Sequence, residues 1–213
     1  MVTVYFIRHG QSEANLQGII QGHAEFPLSE LGEKQASLAG EWMSSVHLDA
    51  IYTSDLQRAR VTAEAIAKHH PLTPQPWEMI REVGLGPLEG KTRKQMYEEF
   101  PELKADALLT SGIKGTETVD KITLRCGYVI EQLNAAYENK TVAVVSHGGF
   151  ISIMLMYLIA GENWHSLQRP FVIGNTGITK VVLDKDSPPQ LHFTNRTDHL
   201  EKEGNSKSST VLY

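Results

Sequence analysis

Two runs, Val2-Thr3-Val4-Tyr5-Phe6-Ile7 and Thr141-Val142-Ala143-Val144-Val145, are apolar almost without a break and rich in β-branched residues. A strand with one wet face alternates apolar and polar; a continuous apolar run needs cover on both faces, the condition of a parallel sheet between helices. Ala50-Ile51-Tyr52-Thr53 supplies a further short strand. Helical spacing follows each. Leu31, Gln35, Leu38, Ala39, Trp42, Met43 and Val46 form a stripe after the candidate N-cap Ser29; Leu56, Ala59, Ala63, Ile66 and Ala67 form a second that begins at Asp55 and that Pro71 ends. Residues 116–138 form a third, and Gly148 opens a fourth that runs to Gly161. This alternation predicts an α/β fold: three layers, α/β/α, with a mainly parallel central sheet.

Between Pro71 and Gly115 the pattern is interrupted by Pro71, Pro74, Pro76, Pro87 and Pro101. A strand is expected near 77–80 and short helices over 93–100 and 102–109. Residues 82–115 thus read as a small, mostly helical excursion over the C-terminal edge of the strands. Residues 177–184 and 191–195 read as a hairpin, and 201–213 as a polar tail. A single catalytic domain over 1–200 is expected, large enough to bury roughly 70% of its open-chain surface without staples.

The net charge is −5 and no cluster of basic residues occurs, which points away from nucleic acid and anionic lipid as partners. Cys126 is the only cysteine, so an intrachain disulfide and a thiolate metal cluster are excluded. No apolar run approaches the ~18 residues of a membrane span, and residues 1–7 are too short for the apolar core of a secretion signal. A cytoplasmic protein is expected.

In a parallel sheet, ligands sit beyond the carboxyl ends of the strands. Both apolar runs end there in histidine followed by glycine: Arg8-His9-Gly10 and Ser146-His147-Gly148-Gly149. Glycine lets backbone approach a ligand closely, and the helix opening at Gly148 would aim unpaired N–H groups at an anion. A third strand exit, Ser54-Asp55-Leu56-Gln57-Arg58-Ala59, sets Arg58 in the first turn of a helix, where a cation opposes the helix dipole and invites an anionic partner. Arg60, about 200° further round, reads as a surface ion pair. His47, His69, His70, His165, His192 and His199 show no metal-ligand spacing, and His23 is expected in solvent.

With these residues in place the chain resembles the histidine phosphatase superfamily, in its phosphoglycerate mutase-like branch. The resemblance covers the chain to about Leu200. It is carried by Arg8-His9-Gly10-Gln11-Ser12-Glu13-Ala14-Asn15, by Ser54 to Ala59, by His147-Gly148, and by Glu82-Val83-Gly84-Leu85-Gly86. It implies two-step phosphoryl transfer with no metal and no cofactor. His9 would be the nucleophile, one ring nitrogen held by a backbone carbonyl. Arg8, Arg58, Asn15 and a protonated His147 would surround the phosphoryl oxygens. Glu82 would protonate the leaving oxygen and then activate water, which asks for a setting that raises its pKa above ~4.3. Gln21 and Gly22 would line the substrate, with Gly148 beside the phosphoryl group. Gly84 and Leu88 depart from the more polar and bulky residues of relatives, so the pocket wall is expected to be wider. Gln11 replaces a more common acid.

The expected activity is hydrolysis of small phosphomonoesters, with a small phosphorylated metabolite as the partner. Cofactor-dependent phosphoglycerate mutase is the alternative enzyme, but its longer insertion is missing: Glu82 and His147 are only 65 positions apart. A non-catalytic phosphate-binding regulator is the alternative of another class. It would need neither His9 nor Glu82.

Overall fold

The computed structural model describes residues 1–103, 108–167 and 169–203. In chain order the elements are β1 (Val2–Arg8), α1 (Glu13–Gln17), α2 (Glu30–Met43), β2 (Ala50–Thr53), α3 (Gln57–Ala67), β3 (Gln75–Pro76), α4 (Arg93–Glu99), α5 (Val119–Ala136), β4 (Thr141–Ser146), α6 (Gly148–Ala160), β5 (Ile178–Leu183) and β6 (Gln190–Arg196). The sheet runs in the order β3-β2-β4-β1-β5-β6. β3, β2, β4 and β1 are parallel; the expected hairpin, β5 with β6, joins antiparallel beside β1.

The apolar runs are covered on both faces, as their composition requires. Val2, Val4 and Phe6 of β1, with Val142 and Val144 of β4, enter one core beneath α5 and α6. Tyr5, Ile7, Ala143 and Val145 point the other way, against Met43 of α2 and Ala59, Ala63 and Ile66 of α3. This period of two within a layered core makes the three-layer α/β/α architecture. α6 is apolar all round and is buried from Gly148 to Met156, which is the only setting such a helix tolerates.

The excursion is docked rather than detached. Val83, Leu85, Leu88, Met96, Leu108 and Leu109 belong to the α5/α6 core, and the Ile20 N–H donates to the Lys91 carbonyl at 2.9 Å.

Several local expectations are corrected. No strand forms over 77–80: β3 stops at Pro76, and Glu78–Ile80 coils into a 3-10 turn. Proline lacks the donor a ladder needs and belongs at sheet edges, where β3 lies. α3 starts at Gln57 rather than Asp55, with no side-chain cap at Leu56. α1 was not anticipated, although Ser12 and Asn15 form a reciprocal capping box. The expected helix over 102–109 falls partly outside the described residues; Leu108–Thr110 is a 3-10 turn. Of the polar tail, residues 204–213 lie outside the described residues. Among the described residues no helix is long and apolar enough to cross a membrane.

Candidate active site

Parallel pairing sets Arg8 opposite Ser146, so the two His-Gly exits leave the sheet side by side. The His9 N–H donates to the Ser146 carbonyl at 2.9 Å, and the His9 and His147 rings meet edge to face with centroids 5.1 Å apart. His9 is 2% exposed. Its Nδ1 lies 2.6 Å from the Gly10 carbonyl oxygen. A carbonyl only accepts, so Nδ1 carries the hydrogen and Nε2 keeps its lone pair. Burial first, then Arg58 and Arg8, hold the His9 pKa well below that of a free imidazole, against the Gly10 carbonyl. The ring is neutral and oriented.

His147 is fully buried, with Nε2 2.8 Å from the Ser54 hydroxyl and Nδ1 without a partner among the described residues. Burial, then Arg58, His9, Arg8 and His23, lower its pKa well below the usual value. Within the protein's own field it is neutral; the protonated form expected from the sequence requires an added anion.

The two buried arginines flank this pair. Arg8 donates from Nη1 to the Ile173 carbonyl at 2.8 Å, and Gly148 leaves room for its Nε side: a Cβ there would stand 3.2 Å from Nε. Arg58 donates to the carbonyls of Ala24 at 2.9 Å and Gly22 at 2.8 Å, so the loop carrying Gln21 and Gly22 is drawn onto the first turn of α3. Arg60 is exposed beside Glu64, as a surface ion pair.

Glu82 is 2% exposed and is the only buried acid among the described residues. Its carboxylate accepts the backbone N–H of Val83 at 3.0 Å, Gly149 at 3.1 Å and Phe150 at 2.8 Å. The N–H groups of Gly149 and Phe150, at the start of α6, therefore serve Glu82 rather than an outside anion. Gly149 is needed for this approach, because a Cβ would fall 2.6 Å from Glu82 Oε1.

Asn15, inside α1, completes the capping box of Ser12, its Oδ1 accepting from the Ser12 N–H at 3.1 Å and from Asn175 Nδ2 at 3.3 Å. Gln21 Oε1 accepts from the Ser12 hydroxyl at 2.8 Å. The site residues expected from the sequence thus come together at one sheet edge.

Other expectations fail on packing. Gly10 faces Gly32 of α2, whose carbonyl a Cβ would strike, so it serves helix packing. Leu88 is fully buried in the core instead of lining a pocket, and Gln11 is buried against Ser29. His23 is exposed, yet its Nε2 lies 2.8 Å from the Glu82 carbonyl, to which it donates.

Four contributors were missed. Ser54 holds His147, although its motif was visible. Asn175 donates to the His9 carbonyl at 3.1 Å, beside the Thr176 N–H, from a segment without any motif. Glu89 Oε1 gathers the N–H groups of His23, Leu85 and Gly86, and Arg125 grips the segment that carries Glu82. Among the described residues no cluster of three His, Cys, Asp or Glu side chains could hold a metal ion.

The family model of the histidine phosphatase superfamily (branch 1) matches residues 4–196. A broad-specificity phosphatase of Saccharomyces cerevisiae is 31% identical over 208 residues, 94% of this chain and 88% of that one. A probable phosphoglycerate mutase of Photorhabdus laumondii is 34% identical over 188 residues, 85% of each chain. Among solved structures, a mutant phosphoserine phosphatase of Entamoeba histolytica in complex with phosphoserine superimposes with a TM-score of 0.75 and 29% identity, over 94% of this chain and 100% of that one.

Proposed function

The chain belongs to the histidine phosphatase superfamily, branch 1, and from that premise we propose that it is a phosphatase hydrolysing small phosphomonoesters through a phosphohistidine on His9. The observation that carries the reading is the His9 ring itself: buried, neutral, and pinned through Nδ1 on the Gly10 carbonyl. That arrangement frees Nε2 for attack without any induced step.

In the first half-reaction the Nε2 lone pair forms the N–P bond while the bond from phosphorus to the ester oxygen breaks, and Glu82 gives its proton to the departing oxygen. In the second, the Glu82 carboxylate takes a proton from water, whose oxygen attacks phosphorus; the N–P bond breaks and inorganic phosphate leaves. Arg8, Arg58, the Asn15 amide and His147 would neutralise the equatorial oxygens, where the charge of a loose transition state lies. The anion would also supply the field that protonates His147. Charge stabilisation by two guanidinium groups makes the reaction metal-independent in this reading. Gln21, Gly22 and Gly148 would complete the walls. The catalytic unit is the domain of residues 1–200, and a cytoplasmic setting suits its one buried thiol, Cys126.

Rapid acid-free quenching of the enzyme with radiolabelled substrate, followed by mapping of the labelled side chain, tests the proposal. Label on His9, and its loss together with turnover in a folded His9→Ala variant, is the expected result. Label elsewhere, or p-nitrophenyl phosphate turnover at the parent rate by His9→Ala, defeats it.

The likeness to a probable phosphoglycerate mutase supports a second reading, transfer of the phosphoryl group back to a substrate hydroxyl. Incubation with 3-phosphoglycerate separates the two: interconversion with 2-phosphoglycerate faster than phosphate release would make the chain a mutase. A purely regulatory phosphate binder is disfavoured by the buried, oriented Glu82, which phosphate binding does not need.

A further inference from the structure

We propose that Arg125 is a positioning residue for Glu82, an inference that rests on the reading of Glu82 as the proton donor. Arg125 lies on α5, outside every motif that marks the active site, and its side chain is 10% exposed. A guanidinium has five N–H groups. All five are engaged here: Nε donates to Glu117 Oε1 at 2.9 Å and Nη2 to Glu117 Oε2 at 2.8 Å, Nη1 donates to the carbonyls of Arg81 at 2.6 Å and Met79 at 3.2 Å, and Nη2 also reaches the Glu82 carbonyl at 3.4 Å.

The carbonyls that converge on Arg125 belong to the segment delivering Glu82, which has left the sheet at Pro76 and has no strand ladder to hold it. Glu117 extends the grip past Glu82 on the other side. Its Oε2 accepts the Gly84 N–H at 3.1 Å and its own N–H donates to the Gly84 carbonyl at 2.7 Å. The arginine also stacks over the ring of Phe150, 4.5 Å from its centroid, and Phe150 is the residue whose N–H holds Glu82 Oε1. Arg125 therefore touches both ends of the donor: the backbone that carries it and the helix turn that receives its carboxylate. His23 also donates to the Glu82 carbonyl, and it is exposed. Lysine, a point charge on a flexible stem, cannot span this fan of acceptors.

A misplaced proton donor has a signature that a loosened fold lacks. It slows departure of basic leaving groups and spares those that leave as stable anions. kcat/KM for a series of substituted phenyl phosphates, from p-nitrophenyl phosphate to phenyl phosphate, reports the steps up to leaving-group departure. Arg125→Lys is expected to steepen the dependence of log kcat/KM on leaving-group basicity. The expected loss is ~10-fold or more on phenyl phosphate and within about twofold on p-nitrophenyl phosphate. Glu82→Gln gives the same pattern more strongly, and Arg125→Lys adds nothing in the Glu82→Gln background, because both act through one group. Glu117→Gln, which loosens the arginine without removing it, repeats the pattern at smaller amplitude and serves if Arg125→Lys does not fold. Equal losses on all leaving groups, or a full additional loss in the Glu82→Gln background, overturn the inference. A Glu82→Gln variant with no leaving-group dependence instead removes the proton-donor reading, and the positioning role falls with it.

Discussion

Glu82 Oε1 accepts the backbone N–H of Phe150 at 2.8 Å, so the candidate proton donor is also the cap of the helix that follows His147. The His147 side chain itself makes no capping bond to α6. One carboxylate thus serves two ends: it caps a helix that is buried from Gly148 to Met156 and, in the proposed mechanism, stands at the phosphoryl site.

Removing it should therefore cost both stability and rate. Glu82→Ala leaves the N–H groups of Gly149 and Phe150 without their acceptor in a buried turn, at a cost of ~1–3 kcal/mol. Glu82→Gln keeps one amide oxygen as acceptor and should lose less stability. Both should lose ~10²- to 10⁴-fold in kcat/KM on phenyl phosphate. Denaturant titration beside steady-state kinetics checks the split; equal stability losses in the two variants would show that the cap contributes nothing.

The glycines of the two His-Gly exits should respond differently. A Cβ at Gly149 meets the end of the Glu82 side chain, whereas one at Gly10 meets the Gly32 backbone, which cannot swing aside. Gly149→Ala is expected to fold and to lose at least ~10-fold in turnover through a displaced carboxylate. Gly10→Ala is expected to lose ~1–3 kcal/mol or more, the cost of overpacking a loop against α2. Melting curves of both proteins decide; a Gly10→Ala variant as stable as its parent contradicts the packing role.

What could be read from the residues was whatever adjacent positions encode. Val2 to Ile7 and Thr141 to Val145 betray two-sided burial by lacking alternation, and parallel register then places His9 beside His147 with no further information. The contacts of Ser54, Asn175 and Arg125 were illegible for the opposite reason, although the motif that holds Ser54 was visible. Ser54 meets His147 across 93 positions, Asn175 meets His9 across 166, and Arg125 meets Glu82 across 43. A hydroxyl, an amide or a guanidinium carries no mark of which distant backbone it will bind. Gly10 was misread because a close approach to a ligand and one to a neighbouring helix demand the same residue. The excursion was visible as a break in pattern, but its docking depends on Leu85, Leu88 and Leu109 finding the α5/α6 core, which periodicity does not specify.

Acid should destabilise the fold through its buried histidines. Burial pushes the His199 pKa down to about 4, and its Nε2 lies 3.0 Å from the hydroxyl of Thr176, whose N–H bonds the His9 carbonyl. The His9 and His147 values are lowered too, chiefly by burial. The unfolded chain binds protons below ~6.5 while the folded chain does not, so this stability is complete above that pH and is lost as pH falls towards the folded values. His199 alone should contribute on the order of 2 kcal/mol to the fall between pH 7 and 4, allowing for solvent screening. Denaturant titrations across that range should show a gentler decline for His199→Phe; parallel curves would rule out the linkage.

Ser54 is the position where a small change should act on chemistry with little effect on folding. Its hydroxyl lies 2.8 Å from His147 Nε2, and His147 Nδ1, buried and without a partner among the described residues, is the nitrogen that would meet a phosphoryl oxygen in the proposed mechanism. The hydroxyl fixes the ring's rotation; when an anion draws a proton onto His147, both nitrogens become donors and the hydroxyl accepts from Nε2. Ser54→Ala removes that acceptor just when the cation needs it. The loss is expected to be ~10-fold in kcat/KM, since a displaced group beside the reacting centre costs this much or more. Ser54→Thr, which keeps the hydroxyl, should recover most of the rate if its methyl is accommodated. Because the cost falls on the protonated state, vanadate, a transition-state mimic, should lose more affinity than phosphate. A Ser54→Ala enzyme that binds both anions as tightly as its parent, at unchanged kcat/KM, would mean that His147 is oriented by packing alone.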